Sequence, residues 1–225
     1  SPLFSMVVPP AMTGEKMVRK ESFWSESMGK EVLNPTLSLY DDGLLNGGMS
    51  SGSRDAEGVP RRRQTLVENG TLSNMLWSTR DAAQQVAEGR IEEAFSTGSA
   101  SSGGHQSPPS TGCTELFLTS SQPSMAMEQL LETMGDGYIV NSVMGAHTAN
   151  PSSGDFSVTT SAILKVENGE IIGALKQAGL SGNLAKSLKG KVILGDDVRR
   201  QGSYSSGSMH LPDVLLMDGL RVNPA

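Results

Sequence analysis

The sequence predicts an α+β fold, mainly antiparallel β-sheet with two or three packed helices. Three observations carry that expectation. Aromatic residues make up only 4% of the 225 residues while Gly numbers 26, so a core of Val, Ile, Leu and Met is expected, which suits a loop-rich sheet protein better than a helical bundle. Two Asn-Gly pairs stand between alternating apolar runs, the strongest short-range hairpin signal. The remaining apolar runs are of strand length and bounded by Gly, Pro, Asn or Asp.

In chain order, residues 32–39 read as a first strand. Gln64-Thr65-Leu66-Val67-Glu68, Asn69-Gly70 and Thr71-Leu72-Ser73-Asn74-Met75-Leu76 form a first hairpin with positive φ at both turn residues. Ser78, followed by Asp81, caps a helix that Gly89 stops. Residues 96–112, rich in Ser, Gly and Pro, are a flexible surface loop, either a mobile connector or a segment that closes over a groove. Residues 115–118 are a strand. Ser124 caps a helix over 125–134, whose Met127, Leu130, Leu131 and Met134 share one face as core filler. Strands follow at 138–144 and in a second hairpin through Asn168-Gly169, spanning 162–175. Asn183 caps a short helix ending at Gly190. Strands close the chain at 191–194 and 214–222, the latter broken at Asp218-Gly219. The two hairpins share Val-Glu-Asn-Gly, either as quasi-equivalent halves of one sheet system or as unrelated turns. The buried set expected is Val67, Leu72, Leu130, Ile139, Val143, Phe156, Ile163, Val166, Ile171, Val192, Leu194 and Leu215.

The chemistry-bearing residues are sparse. A net charge of −6 opposes approach to a phosphate backbone, so direct nucleic-acid binding is not expected. The lone cysteine, Cys113, cannot close an internal disulfide and points to a reducing compartment, read as cytoplasm. No apolar run approaches the ~20 residues that cross a bilayer, and neither membrane insertion nor secretion is expected. Gly48-Met49-Ser50-Ser51-Gly52 has the form of a nucleophile elbow without the strand and helix that would strain it. His105, His147 and His210 are dispersed, with no two one helical turn apart. Arg61-Arg62-Arg63 reads either as a carboxylate or phosphate grip or as a guard against edge-to-edge pairing.

A series of short motifs runs through the chain. Asp41-Asp42, then Asp55-Ala56-Glu57-Gly58-Val59-Pro60, then the first Asn-Gly hairpin are followed by Gly145-Ala146-His147-Thr148-Ala149-Asn150-Pro151, Gly154-Asp155-Phe156-Ser157, Glu167-Asn168-Gly169, Gly182-Asn183 and Gly195-Asp196-Asp197. In order and spacing this series resembles the C-terminal domain of the TldD/PmbA family, metallopeptidases once called modulators of DNA gyrase. The resemblance covers almost all of residues 1–225, and the chain is expected to be a piece of a longer protein. Catalytic members of that family hold a metal with a His-Glu-x-x-x-His helix and a late cysteine. Neither occurs here: the corresponding late segment, residues 199–210, has no cysteine.

The resemblance therefore implies the metal-free TldE/PmbA-type subunit, with no catalytic or metal-binding residues of its own. Its partner would be a TldD-like subunit carrying zinc or iron, the two forming a heterodimeric peptidase for unfolded proteins or precursor peptides; a homodimer is also possible. Candidate contacts to partner or substrate are Asp55, Glu57, Gly58, His147, Gly154, Asp155 and Phe156, with turn and hairpin stabilisation as the competing reading. Two other functions stay open. One is a self-sufficient peptidase, with ligands outside this segment or assembled from His147, His210 and nearby acids. The other is a protein-binding scaffold unrelated to proteolysis.

Overall fold

The computed structural model describes residues 2–102, 104, 106–202 and 207–224. His105 and residues 203–206 of the late segment therefore lie outside the described residues. In chain order the elements are α1 (Pro2–Ala11), α2 (Gly14–Val18), β1 (Leu37–Asp42), β2 (Arg63–Glu68), β3 (Thr71–Leu72), α3 (Thr79–Ala87), β4 (Ala100–Ser101), β5 (Ser110–Thr111), β6 (Glu115–Ser120), α4 (Met127–Met134), β7 (Gly137–Met144), the 3₁₀ turn η1 (Ala146–Thr148), β8 (Asp155–Glu167), β9 (Glu170–Leu175), β10 (Ala178–Asn183), α5 (Leu184–Lys189), β11 (Val192–Gly202), β12 (Ser208–Leu216) and β13 (Leu220–Pro224).

The class is α+β with mainly antiparallel sheets, as expected. A six-stranded sheet runs β11-β12-β6-β1-β2-β3, and a second runs β13-β10-β8-β7 with β9 paired to β8 beside β10. Only β12 and β6 pair in parallel among the named strands. A single cluster of buried side chains joins Leu37, Leu39, Leu66 and Met209 of the first sheet to Phe156, Val158 and Leu180 of the second. Trp24 and Trp77 are both buried despite the scarcity of aromatics.

Both hairpins form on type I′ geometry. Asn69 and Gly70 have φ of 46° and 79°, and Asn168 and Gly169 have 51° and 79°, as right-twisted two-residue turns require. They belong to different sheets. Ser78 caps α3 by accepting from the Asp81 N–H at 3.0 Å, and Asn183 caps α5 by accepting from Lys186 N–H at 2.9 Å.

Other expectations need correction. The described residues contain five α-helices, not two or three. The unforeseen first one, α1, has Ser5 as its one polar residue, contains Pro9 and Pro10, and buries six of its ten residues, Ser5 among them, so it shows no amphipathic stripe to read. Ser124 does not cap α4. Met125 is drawn into a bridge with Gly195, so the helix opens at Met127, and Gln129 reaches back to the Ala126 N–H at 3.1 Å. The Met-rich face is only partly core, since Met127 is 38% exposed. The first strand begins at Leu37 rather than residue 32. β10 was not anticipated, its Ala-Gly-Leu-Ser-Gly-Asn composition giving little strand signal. Within 96–112, Ala100–Thr111 and Ser101–Ser110 pair as β4 and β5. Ile171 is exposed, and Ile139, Val143 and Leu215 are only half-buried.

Candidate functional site

The motif residues fall into two groups. In the first, Asp55 is almost completely buried and gathers three backbone donors. Its Oδ1 accepts from Glu57 and Val59 N–H, both at 2.9 Å, and its Oδ2 from Ala100 N–H at 3.0 Å. Glu57 turns the other way and caps α3, accepting from Thr79 N–H at 2.6 Å and Arg80 N–H at 2.9 Å. Gly58 has φ +81° and closes the loop, its N–H donating to the Asp55 carbonyl at 3.1 Å.

The second group surrounds the start of β8. Gly154, at φ +79°, accepts from Leu184 N–H at 2.8 Å. Asp155 accepts from Asn183 Nδ2 at 2.7 Å; Ser153 and Asn183 hold its carboxyl below the usual range. Phe156 is core. His147 is exposed in η1. Among the described residues no hydrogen bond or ion pair joins the two groups. Turn pinning and capping account for the polar contacts that these residues make.

The six-stranded sheet carries a denser polar cluster that local sequence did not single out. Asp41, fully buried, accepts from Thr114 N–H at 2.7 Å and Glu115 N–H at 2.9 Å. Burial pushes its pKa up to about 6, against the pull of those two N–H groups and of Arg61. Glu115 is also fully buried; it accepts from Ser50 N–H at 2.8 Å and pairs with His210 Nε2 at 2.8 Å. The His210 ring stacks on Phe117 at 4.0 Å, Phe117 on Tyr40 at 4.7 Å, and Arg63 caps Tyr40 at 4.1 Å. These four side chains lie on β12, β6, β1 and β2, four neighbouring strands. The signal was distributed: residues 40, 63, 115, 117 and 210 become neighbours only through strand register, which local periodicity does not contain.

Two sequence alternatives resolve here. Arg61 donates to Thr114 Oγ1 at 2.6 Å, and Arg62 to the Ser96 carbonyl at 3.2 Å. With Arg63 on a ring, the run fastens loops to the sheet; β2 is an interior strand. At Gly48-Met49-Ser50-Ser51-Gly52 no strand leads directly in and no helix follows, so the nucleophile-elbow geometry is not formed.

Among the described residues no group of three or more His, Cys, Asp or Glu side chains is gathered to hold an ion. His210 has its Nε2 committed to Glu115, while His147 lies in η1, which packs against α1 and β8. Among the described residues, no helix is long and apolar enough to cross a membrane.

The comparisons place these features among known proteins. Residues 1–223 match the family model described as PmbA/TldA metallopeptidase C-terminal domain. The chain is 30% identical over 207 residues to uncharacterized protein MJ0231 of Methanocaldococcus jannaschii, covering 92% of this chain and 46% of that protein. It is 28% identical over 204 residues to metalloprotease PmbA of Escherichia coli O157:H7, covering 91% of this chain and 41% of that one. The crystal structure of TldE from Thermococcus kodakarensis superposes with a TM-score of 0.83 at 24% identity, over 98% of this chain and 47% of that one, a likeness of fold. The chain thus spans less than half the length of these relatives.

Proposed function

The chain belongs to the PmbA/TldD metallopeptidase C-terminal domain family, and from that premise we propose that it is the non-catalytic, TldE/PmbA-like part of a heterodimeric peptidase. A TldD-like subunit supplies the zinc or iron and the metal-activated water. This chain completes the cleft for an unfolded protein or a precursor peptide. The observation that carries the reading is the family match over residues 1–223 in a sequence that contains no His-Glu-x-x-x-His. The polar contacts of Asp55, Glu57 and Gly154 support it from the side of chemistry, since each holds backbone in place, while the Asp155 carboxylate is bonded to the Asn183 side chain. A substrate held as an added strand gains main-chain hydrogen bonds without demanding sequence, which suits a peptidase of broad specificity. We place the complex in the cytoplasm, on the single cysteine.

The test is to mix the chain with a TldD-like chain from the same cells and to measure metal content, stoichiometry by native mass spectrometry, and peptide hydrolysis. The expected result is a one-to-one complex that cleaves peptides, with metal and activity traced to the partner. Peptide hydrolysis by this chain alone, with zinc or iron bound to it, overturns the proposal in favour of a self-sufficient peptidase. A stable complex with an unrelated protein and no hydrolysis favours a scaffold.

A further inference from the structure

We propose that Asn46 is a site of spontaneous covalent modification, deamidating through a succinimide formed with Gly47, while the folded hairpins protect the other two Asn-Gly pairs. The chain holds three such pairs: Asn46-Gly47, Asn69-Gly70 and Asn168-Gly169. Local sequence makes all three candidates, because glycine has no Cβ to hinder attack on the preceding side chain and its backbone turns freely. In the reaction the glycine main-chain nitrogen attacks the asparagine Cγ. A new C–N bond closes a five-membered ring, and the bond from Cγ to the side-chain nitrogen breaks. That nitrogen leaves as ammonia, carrying the proton given up by the main-chain N–H. Water then opens the ring at either carbonyl, leaving aspartate or isoaspartate. The step therefore needs a main-chain N–H free of other bonds and an Asn-Gly peptide able to rotate.

The hairpin pairs meet neither condition. Gly70 N–H donates to the Leu37 carbonyl at 2.7 Å, and Gly169 N–H to the Gly135 carbonyl at 2.8 Å. Both glycines are also walled in: a Cβ would lie 2.7 Å from the Leu33 carbonyl oxygen at Gly70 and 3.2 Å from Glu132 Cα at Gly169. Asn46-Gly47 differs in each respect. It is the central peptide of a turn in the loop between β1 and β2, closed by Gly48 N–H donating to the Leu45 carbonyl at 3.1 Å. Neither the Gly47 N–H nor the Asn46 carbonyl is hydrogen-bonded among the described residues. Both residues are exposed, and a Cβ at Gly47 meets nothing within 4 Å. This peptide therefore rotates without breaking a hydrogen bond of its own. The product falls at the loop's tie to β11, where the Gly47 carbonyl accepts from Arg200 Nη1 at 3.1 Å; isoaspartate inserts a carbon into the main chain immediately before that tie.

Peptide mass spectrometry on the chain, incubated folded near neutral pH and sampled over time, tests the assignment. The mass gain from amide to acid is read at each of the three pairs, and fragmentation separates aspartate from isoaspartate. Asn46 is expected to convert at least roughly tenfold faster than Asn69 or Asn168, because each hairpin must open locally before its glycine nitrogen is free. The same incubation in denaturing urea is expected to bring the three rates together, since the local sequence is then all that acts. Asn46→Gln, which would need a larger and slower-forming ring, should abolish the gain at position 46 and leave the other two unchanged. An Asn46 that stays an amide in the folded chain overturns the proposal. So do equal rates at all three pairs in the folded chain, or a preference for Asn46 that persists undiminished in urea.

Discussion

At Asp55 three backbone donors converge on one buried carboxylate, so its removal strands three N–H groups at once. Asp55→Ala is expected to cost about 3 kcal/mol, read as a fall in the urea midpoint, because unmet buried donors cost more than an average hydrogen bond contributes. Asp41 sets a pH dependence of opposite sign to that of an ordinary paired acid. Its folded pKa of about 6 stands above the usual 3.8, so the folded state binds the proton more tightly than the unfolded chain does. The resulting stability is fully present below about pH 4 and is lost as pH rises through about 6, amounting to up to ~3 kcal/mol. Thermal melts of wild type and Asp41→Asn between pH 4 and 8 isolate this contribution. The difference between the two should shift in favour of the variant as pH rises, and a constant difference counts against a raised pKa.

At the scale of the element, α3 shows how a short helix is started by side chains from two places. Ser78 satisfies the Asp81 N–H, and Glu57, 22 and 23 positions before its targets, satisfies Thr79 and Arg80. Three of the four N–H groups that a helix start leaves unmet are thereby bonded, with a carboxylate at the positive end of the helix dipole. Ser78→Ala should cost about 1 kcal/mol. Glu57→Ala should speed hydrogen exchange at the Thr79 and Arg80 amides by roughly tenfold, the equivalent of about 1.4 kcal/mol of local opening; unchanged exchange would show that water replaces the carboxylate without loss. The first hairpin depends on Gly70, whose φ is +79° and where an added Cβ would lie 2.7 Å from the Leu33 carbonyl oxygen. Gly70→Ala combines a disfavoured backbone with a clash against main chain, and a loss of more than about 2 kcal/mol in chemical denaturation is expected.

For the molecule as a whole, the decisive feature is that one buried cluster serves both sheets. Polar bonds reinforce the junction: Asn34 Nδ2 donates to the Gly190 carbonyl at 2.7 Å, and Lys189 Nζ donates to the Glu31 carbonyl at 3.0 Å. Because neither sheet can expose its inner face without opening the other, unfolding should be a single transition. Tryptophan fluorescence, which reports Trp24 and Trp77 beside the first sheet, should therefore melt together with the far-UV signal of both sheets. Two separated midpoints would show that the sheets are energetically independent.

What the sequence determined by itself is local. Asn69-Gly70 and Asn168-Gly169 dictate positive φ at successive residues, and Ser78 and Asn183 dictate helix starts, because each effect is settled within four residues of chain. The order of the Asp-Asp, Asp-x-Glu-Gly and Glu-Asn-Gly motifs was sufficient to indicate the family without any coordinates. Tertiary structure decided the rest. It embedded α1, which has no polar face to announce it, and shortened α4 by drawing Met125 to Gly195. It also left Ile171 outside, although it stands in an apolar strand of the second hairpin, because burial depends on what packs against a strand and not on the strand alone. The His210–Phe117–Tyr40–Arg63 stack was illegible for the same reason: it exists only in the register of four strands brought together from 170 residues of chain, and register is a property of the assembled sheet.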